Sequence, residues 1–260
     1  MPYTSSDHIT LCLDERVLRI QFNRPEKKNA ITLDMYSTMA AAIRQANDDS
    51  TVRVILIEGS PGCFTSGNDL ADFMTASETG SGSPVGEFLE AAATTPKPLM
   101  AAVTGIAVGI GTTMLLHCDL AYASETAMFH MPFVNLGLVP EFGSSLILPQ
   151  LMGQRRAAEL LMLGQPFDAA TARKLGFINA EFPDDVMLDE TLYKAHALAQ
   201  QPPAALRQTK QLMKQPFREA IAQQMTEEGN RFASMLTGPE AMEAFQAFME
   251  KRKPDFSNFD

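Results

Sequence analysis

The chain has 260 residues, of which 45% are hydrophobic and 20% charged, enough apolar material for a large core and too much for a disordered chain. A net charge of −10 argues against binding the phosphate backbone of nucleic acid or an anionic membrane surface. Cys12, Cys63 and Cys118 are odd in number and far apart, so they read as reduced thiols in a reducing compartment, and a cytoplasmic location is expected.

The opening residues, MPYTSSDHIT, carry no basic segment or apolar run, so no signal peptide is expected. Residues 9–13 and 17–22 are two β-rich runs separated by Asp14, Glu15 and Arg16, as in a hairpin. After Asn23-Arg24-Pro25, residues 32–47 place apolar side chains at helical spacing, with Thr32 set to cap them. Residues 52–57 form a short β-branched strand that ends in Glu58-Gly59-Ser60-Pro61-Gly62. Residues 75–84, rich in Ser, Thr and Gly, read as a mobile loop. The uncharged run 99–116 reaches the lower limit for a membrane-spanning helix, but Pro98, Gly105, Gly109 and Gly111 favour a buried strand, a glycine turn and a buried helix. Residues 119–123 look like the next strand. From 186 onward the chain reads as helical, with breaks at Pro202-Pro203, Pro216 and Gly238-Pro239. Strands alternating with helices give an α/β fold.

Several chemistries are disfavoured. No serine lies in a nucleophile-elbow pattern, and Gly105, Gly109 and Gly111 reverse the glycine order of a dinucleotide fingerprint. His117, Cys118 and Asp119 are consecutive and therefore cannot all face one ion, so no metal is expected. His130 reads as a packed or hydrogen-bonded histidine.

Glu141 is the one formally charged residue between Glu125 and Arg155. A carboxyl kept from water rises in pKa and becomes a usable base near neutrality; a loop glutamate beside Pro140 is the other reading. Phe64-Thr65-Ser66-Gly67-Asn68-Asp69-Leu70 follows a strand, and Gly109-Ile110-Gly111 opens a helix, so both turns can direct free N–H groups at one spot. Two such donors on one oxygen make an oxyanion hole, and with one carboxylate this suits proton abstraction beside a carbonyl.

These segments resemble the crotonase superfamily, the enoyl-CoA hydratase/isomerase family. The resemblance runs through Asn23-Arg24-Pro25 to Asn29-Ala30-Ile31, through Phe64 to Leu70 and Gly105 to Gly111, then Cys118 to Ala123 and Leu136 to Pro140. It implies a spiral of ββα units over 1–195 and a C-terminal helical trimerisation region over 196–260, giving a homotrimer or a dimer of trimers. It also implies an acyl-CoA thioester as substrate, no cofactor, and Asn68 and Ile110 as the backbone oxyanion donors. The two glutamates of typical hydratases match Thr113 and Phe133 here, so the chain is most similar to peroxisomal-type 3,2-enoyl-CoA isomerases of fatty acid β-oxidation, in which one glutamate, here Glu141, shuttles the proton. By the same resemblance Ser66, Gly67, Asn68, Asp69 and Leu70 line the thioester, Lys27, Lys28 and Ala30 lie along the CoA nucleotide, and Phe133, with Met131 and Leu138, helps keep the pocket dry. Lys251, Arg252 and Lys253 are further candidates to meet a phosphate.

Overall fold

The computed structural model describes residues 3–69, 71–72 and 82–259. Nine strands are formed among them: β1 (Ile9–Asp14), β2 (Val17–Phe22), β3 (Val54–Glu58), β4 (Leu99–Val103), β5 (Ile106–Val108), β6 (Leu120–Ser124), β7 (Met128–His130), β8 (Phe167–Asp168) and β9 (Ala180–Phe182). The helices are α1 (Leu33–Asp48), α2 (Pro84–Thr94), α3 (Ile110–Thr113), α4 (Ser144–Met152), α5 (Gln154–Leu163), α6 (Ala169–Lys174), α7 (Met187–Ala199), α8 (Pro203–Lys214), α9 (Arg218–Leu236) and α10 (Pro239–Met249). A six-stranded sheet runs in the order β1-β2-β3-β4-β6-β9, antiparallel only at the β1–β2 hairpin. A three-stranded sheet, β5-β7-β8, stands beside it.

The central strands are buried on both faces, which explains their continuous apolar sequences. Along β3, Ile55 and Ile57 point into the large core, while Val54 and Leu56 point to the second layer, which α7 closes with Met187, Ala195 and Ala199. Thr32 caps α1, its hydroxyl accepting the Met35 N–H at 3.3 Å. No helix among the described residues is long and apolar enough to cross a membrane.

Three expectations shift. The strand expected from residue 52 begins at Val54, because the Val52 carbonyl is taken by Lys97 Nζ at 2.9 Å and the Arg53 N–H donates to Arg16 O at 2.8 Å. The glycine turn and buried helix expected after β4 are instead β5, the single turn α3 and a 3-10 turn over Met114–His117, since β5 is drawn off to pair with β7. Residues 75–81 of the expected loop lie outside the described residues; Ser83 and Pro84 open α2, with the Ser83 hydroxyl accepting the Gly86 N–H at 3.1 Å.

Asn29 ties the front of the sheet together. It is fully buried at a left-handed φ of 53°, its Nδ2 donating to Ser60 Oγ and to the carbonyls of Cys63 and Phe64 within 3.0 Å. Its Oδ1 accepts the Arg24 N–H at 2.9 Å and its backbone oxygen accepts the Thr65 hydroxyl at 2.6 Å. Asn29→Ala is therefore expected to lower stability by about 3 kcal/mol, since a buried polar group left unmet costs roughly 1–3 kcal/mol. Urea unfolding checks this, and a loss below about 0.5 kcal/mol, less than one ordinary hydrogen bond, would contradict it.

Candidate active site

The Asn29 clamp shapes the loop that follows β3. The Ile31 N–H donates to Gly67 O at 2.8 Å and the Asp69 N–H to Ile31 O at 2.9 Å, while Ser66 N–H reaches Lys28 O at 2.9 Å. Gly67 takes a φ of +91°, and a Cβ there would lie 2.9 Å from Val108 O, so only glycine lets the loop pass this close to β5. Arg24 Nη1 is 2.6 Å from Asp69 Oδ2, and this guanidinium holds the Asp69 carboxyl below the usual range. The Asn68 side chain is also held, its Oδ1 accepting the buried Tyr36 hydroxyl at 2.5 Å. Burial, and then the charge of Glu141, push the Tyr36 phenol well up, so it stays a donor.

The two expected N–H donors fall on adjoining segments. Thr65 bridges Ala107 in parallel, with the Thr65 N–H on Ile106 O and the Val108 N–H on Thr65 O, both at 3.0 Å. Two residues further on, Gly109 turns at φ 56° and starts α3. The N–H groups of Asn68 and of Ile110 donate to no acceptor among the described residues.

Thr113, at the other end of α3, donates its hydroxyl to Glu141 Oε1. The Ile110 N–H and the Glu141 carboxyl are thus tied to one helical turn, three steps of about 1.5 Å apart along its axis. Burial pushes the Glu141 carboxyl up to about 8, opposed by the Thr113 hydrogen bond and helped by the charge of Glu228. Part of the Glu141 residue stays accessible, which leaves a side from which a substrate can reach an otherwise densely surrounded carboxyl. The next two residues, Phe142 and Gly143, are both left-handed, with φ of 62° and 72°. The Phe142 ring stacks on His117 at 3.8 Å and its carbonyl accepts His117 Nε2–H at 2.7 Å. Burial lowers His117 to about 4, so its ring is neutral.

Of the other expected site residues, Lys27 and Lys28 are exposed beside Ser66, and Ala30 is held by its N–H on Lys27 O and its carbonyl under Arg24. Leu70 lies outside the described residues. Phe133 is buried with its ring edge-on to Phe232 at 6.5 Å, and Met131 and Leu138 are buried. Arg252, with exposed neighbours Lys251 and Lys253, is already engaged by Glu243 and Glu250. His130 Nε2–H donates to Gly164 O at 2.8 Å. No group of three or more potential metal ligands gathers among the described residues. A depression of about 800 Å³ bounded by Tyr3, Leu11, Asp48 and Asp49 opens at the far end of α1 and holds no member of this set. Tyr36 and Glu228 carry no motif, and sequence reasoning passes over them; Asn29 falls in the matching Asn29-Ala30-Ile31 run and His117 is weighed only as a metal ligand, so their structural roles are not read from the sequence.

With this fold and geometry, the chain matches the enoyl-CoA hydratase/isomerase family over residues 13–258, and it belongs to that family. It is 36% identical over 244 residues to enoyl-CoA delta isomerase 2 of Rattus norvegicus, covering 92% of this chain and 62% of the rat protein, so it spans about three-fifths of that relative's length. Among solved structures, the enoyl-CoA hydratase/isomerase of Pseudoalteromonas atlantica T6c superposes with a TM-score of 0.93 at 40% identity, covering 96% of this chain and 100% of that one. OdaA of Pseudomonas aeruginosa superposes with a TM-score of 0.92 at 48% identity, covering 94% and 99%. The spiral crotonase architecture expected from the sequence is the fold observed.

A carboxyl that folding raises from 4.5 to about 8 stays protonated in the native chain where it would ionise in the unfolded one. Its favourable contribution is complete below pH 4.5 and is lost as pH rises through 8. Glu141→Gln, which cannot ionise, is therefore expected to melt higher than wild type by a margin that widens across this window. A margin that stays constant with pH would show an unshifted carboxyl.

Proposed function

We propose that the protein is a 3,2-trans-enoyl-CoA isomerase. The observation that carries this reading is that, among the described residues, Glu141 stands without a second working acid. Thr113 supplies a hydroxyl and Phe133 packs on Phe232 at the positions where the resemblance places hydratase glutamates. The other carboxylate that acts on Glu141, Glu228, is occupied by Gly143 and Ser145. Hydration needs water activated and its proton delivered, a task suited to two acids, whereas a shuttle returns the proton it takes and regenerates its one base.

In this mechanism ionised Glu141 removes a proton from the α-carbon of a 3-enoyl-CoA, and the C–H electron pair moves into conjugation with the thioester carbonyl. The resulting dienolate oxygen is held by the N–H groups of Asn68 and Ile110, typically worth about 3–4 kcal/mol per donor. As the carbonyl re-forms, the electrons of the former C3–C4 double bond take the proton from Glu141 at the γ-carbon, leaving the double bond between C2 and C3. Exclusion of water by apolar walls such as Phe133 favours proton return over addition of water.

Ser66, Gly67 and Asp69 lie along the thioester in this reading, and exposed Lys27 and Lys28 offer cations to the CoA phosphates. No cofactor is required. Exposed Met162, Leu163, Leu212 and Met213 on α5 and α8 are suited to burial between copies of the chain, in keeping with a trimer or a dimer of trimers built on residues 196–260. Fatty acid β-oxidation in the cytoplasm is the proposed setting.

Purified protein is expected to convert 3-cis-enoyl-CoA to the conjugated 2-trans isomer, and Glu141→Gln to lose about two orders of magnitude or more, the scale of a lost general base. The wild-type rate should climb with pH until Glu141 is ionised near 8. Rapid hydration of crotonyl-CoA with the 3-enoyl substrate untouched would make the protein a hydratase instead. Binding without turnover, insensitive to Glu141→Gln, would make it a non-catalytic acyl-CoA binder.

A further inference from the structure

Glu228 is a buried carboxylate to which the proton shuttle gives no task. It lies on α9, is 4% exposed, and reaches 85 residues back along the chain to the start of α4. Its Oε2 accepts the Gly143 N–H at 2.5 Å, and its Oε1 accepts the Ser145 N–H at 2.9 Å as well as the Ser145 hydroxyl. Gln224, one turn earlier on α9, donates to Ser145 Oγ at 2.8 Å, which leaves the serine proton directed at Glu228. Burial raises the Glu228 carboxyl above its ordinary range, opposed by the three donors from Ser145 and Gly143 at the start of α4.

The turn gripped in this way is the one that presents Glu141. Phe142 and Gly143 are consecutive left-handed residues, and a phenylalanine in that region is strained, so the turn needs outside support. His117 supports it at Phe142, and Glu228 supports it at Gly143 and Ser145. We propose that Glu228 is a positioning residue for isomerisation, clamping the left-handed turn that aims Glu141 and bringing a second carboxyl to bear on it. The C-terminal helices are thereby part of the catalytic device. This rests on Glu141 being the base.

The charge reaches its target with little competition. Among the described residues, Glu228 is the charged group that acts on Glu141, driving its proton affinity further up. Tyr36 on α1 is a neutral phenol, His117 is neutral, and α4 (SSLILPQLM) carries no ionisable side chain. On α9, Glu227 and Arg231 pair with each other at 2.7 Å in solvent. On α8, Lys210 and Lys214 are bound to Asp119, and on α10 Glu243 is bound to Arg252.

The test joins a titration that needs no substrate to steady-state kinetics. Infrared difference spectra follow the carboxyl band that Glu141→Gln removes, in wild type, Glu228→Gln and Glu228→Asp. In Glu228→Gln the Glu141 midpoint should fall below its wild-type value of about 8. Its kcat on 3-enoyl-CoA should fall roughly tenfold to a hundredfold, the scale of a group displaced by about an ångström, with KM nearly unchanged. Glu228→Asp, which keeps the charge on a shorter stem, should hold the midpoint and lose kcat. A folded Glu228→Gln protein with wild-type midpoint and kcat, or with only a lower melting temperature, overturns the proposal. If Glu228→Gln fails to fold, Glu228→Asp decides: unchanged kcat overturns it. Absence of wild-type turnover on 3-enoyl-CoA refutes the isomerase reading instead, and the substrate-free midpoints still show whether Glu228 tunes Glu141.

Discussion

One carboxyl has to be kept from water and still be reachable, and most of the local architecture follows from that requirement. Burial alone would leave Glu141 protonated and inert; full solvation would leave it an ordinary acid with little proton affinity. The chain resolves the conflict by giving the carboxyl a single hydroxyl partner, Thr113, and by leaving part of the residue accessible. A hydroxyl can donate to the ionised form and accept from the protonated one, so the contact suits either protonation state of the carboxyl. The carboxyl comes to rest near 8, where it can both take and return a proton at physiological pH.

In the proposed reading such a base is useful only if the N–H donors are equally fixed. The loop carrying Asn68 is held by backbone pairing to residues 28–31, by the Arg24–Asp69 ion pair and by the Tyr36 hydroxyl. The loop carrying Ile110 is held by β5 and its pairing with β7. Each lock is made by groups other than the N–H it holds, which is how a backbone N–H, with no rotamer of its own, is aimed.

Much of this was legible in the sequence, for identifiable reasons. The solitude of Glu141 and the glycine spacing of the two turns are local properties, and both carried through to a raised carboxyl and two N–H groups without acceptors among the described residues. The hairpin, α1 and the C-terminal helices were readable because period and caps are local too. What escaped was long-range. Asn29 works through Ser60, Cys63 and Phe64, and Tyr36 through a residue 32 positions on. Glu228 looks like one more acid on an amphipathic helix until the fold brings it to Gly143. The strand β5 was hidden because three residues between glycines have no readable period, and only the pairing with β7 makes them a strand.

The most direct measurement on the single-base shuttle is the fate of a labelled proton. A 3-enoyl-CoA deuterated at the α-carbon, turned over in ordinary water, should yield 2-trans-enoyl-CoA with part of the deuterium carried to the γ-carbon, because the shielded Glu141 carboxyl returns what it removed. Product with no deuterium at the γ-carbon, every proton there having come from solvent, would contradict one buried carboxyl acting at both ends of the reaction.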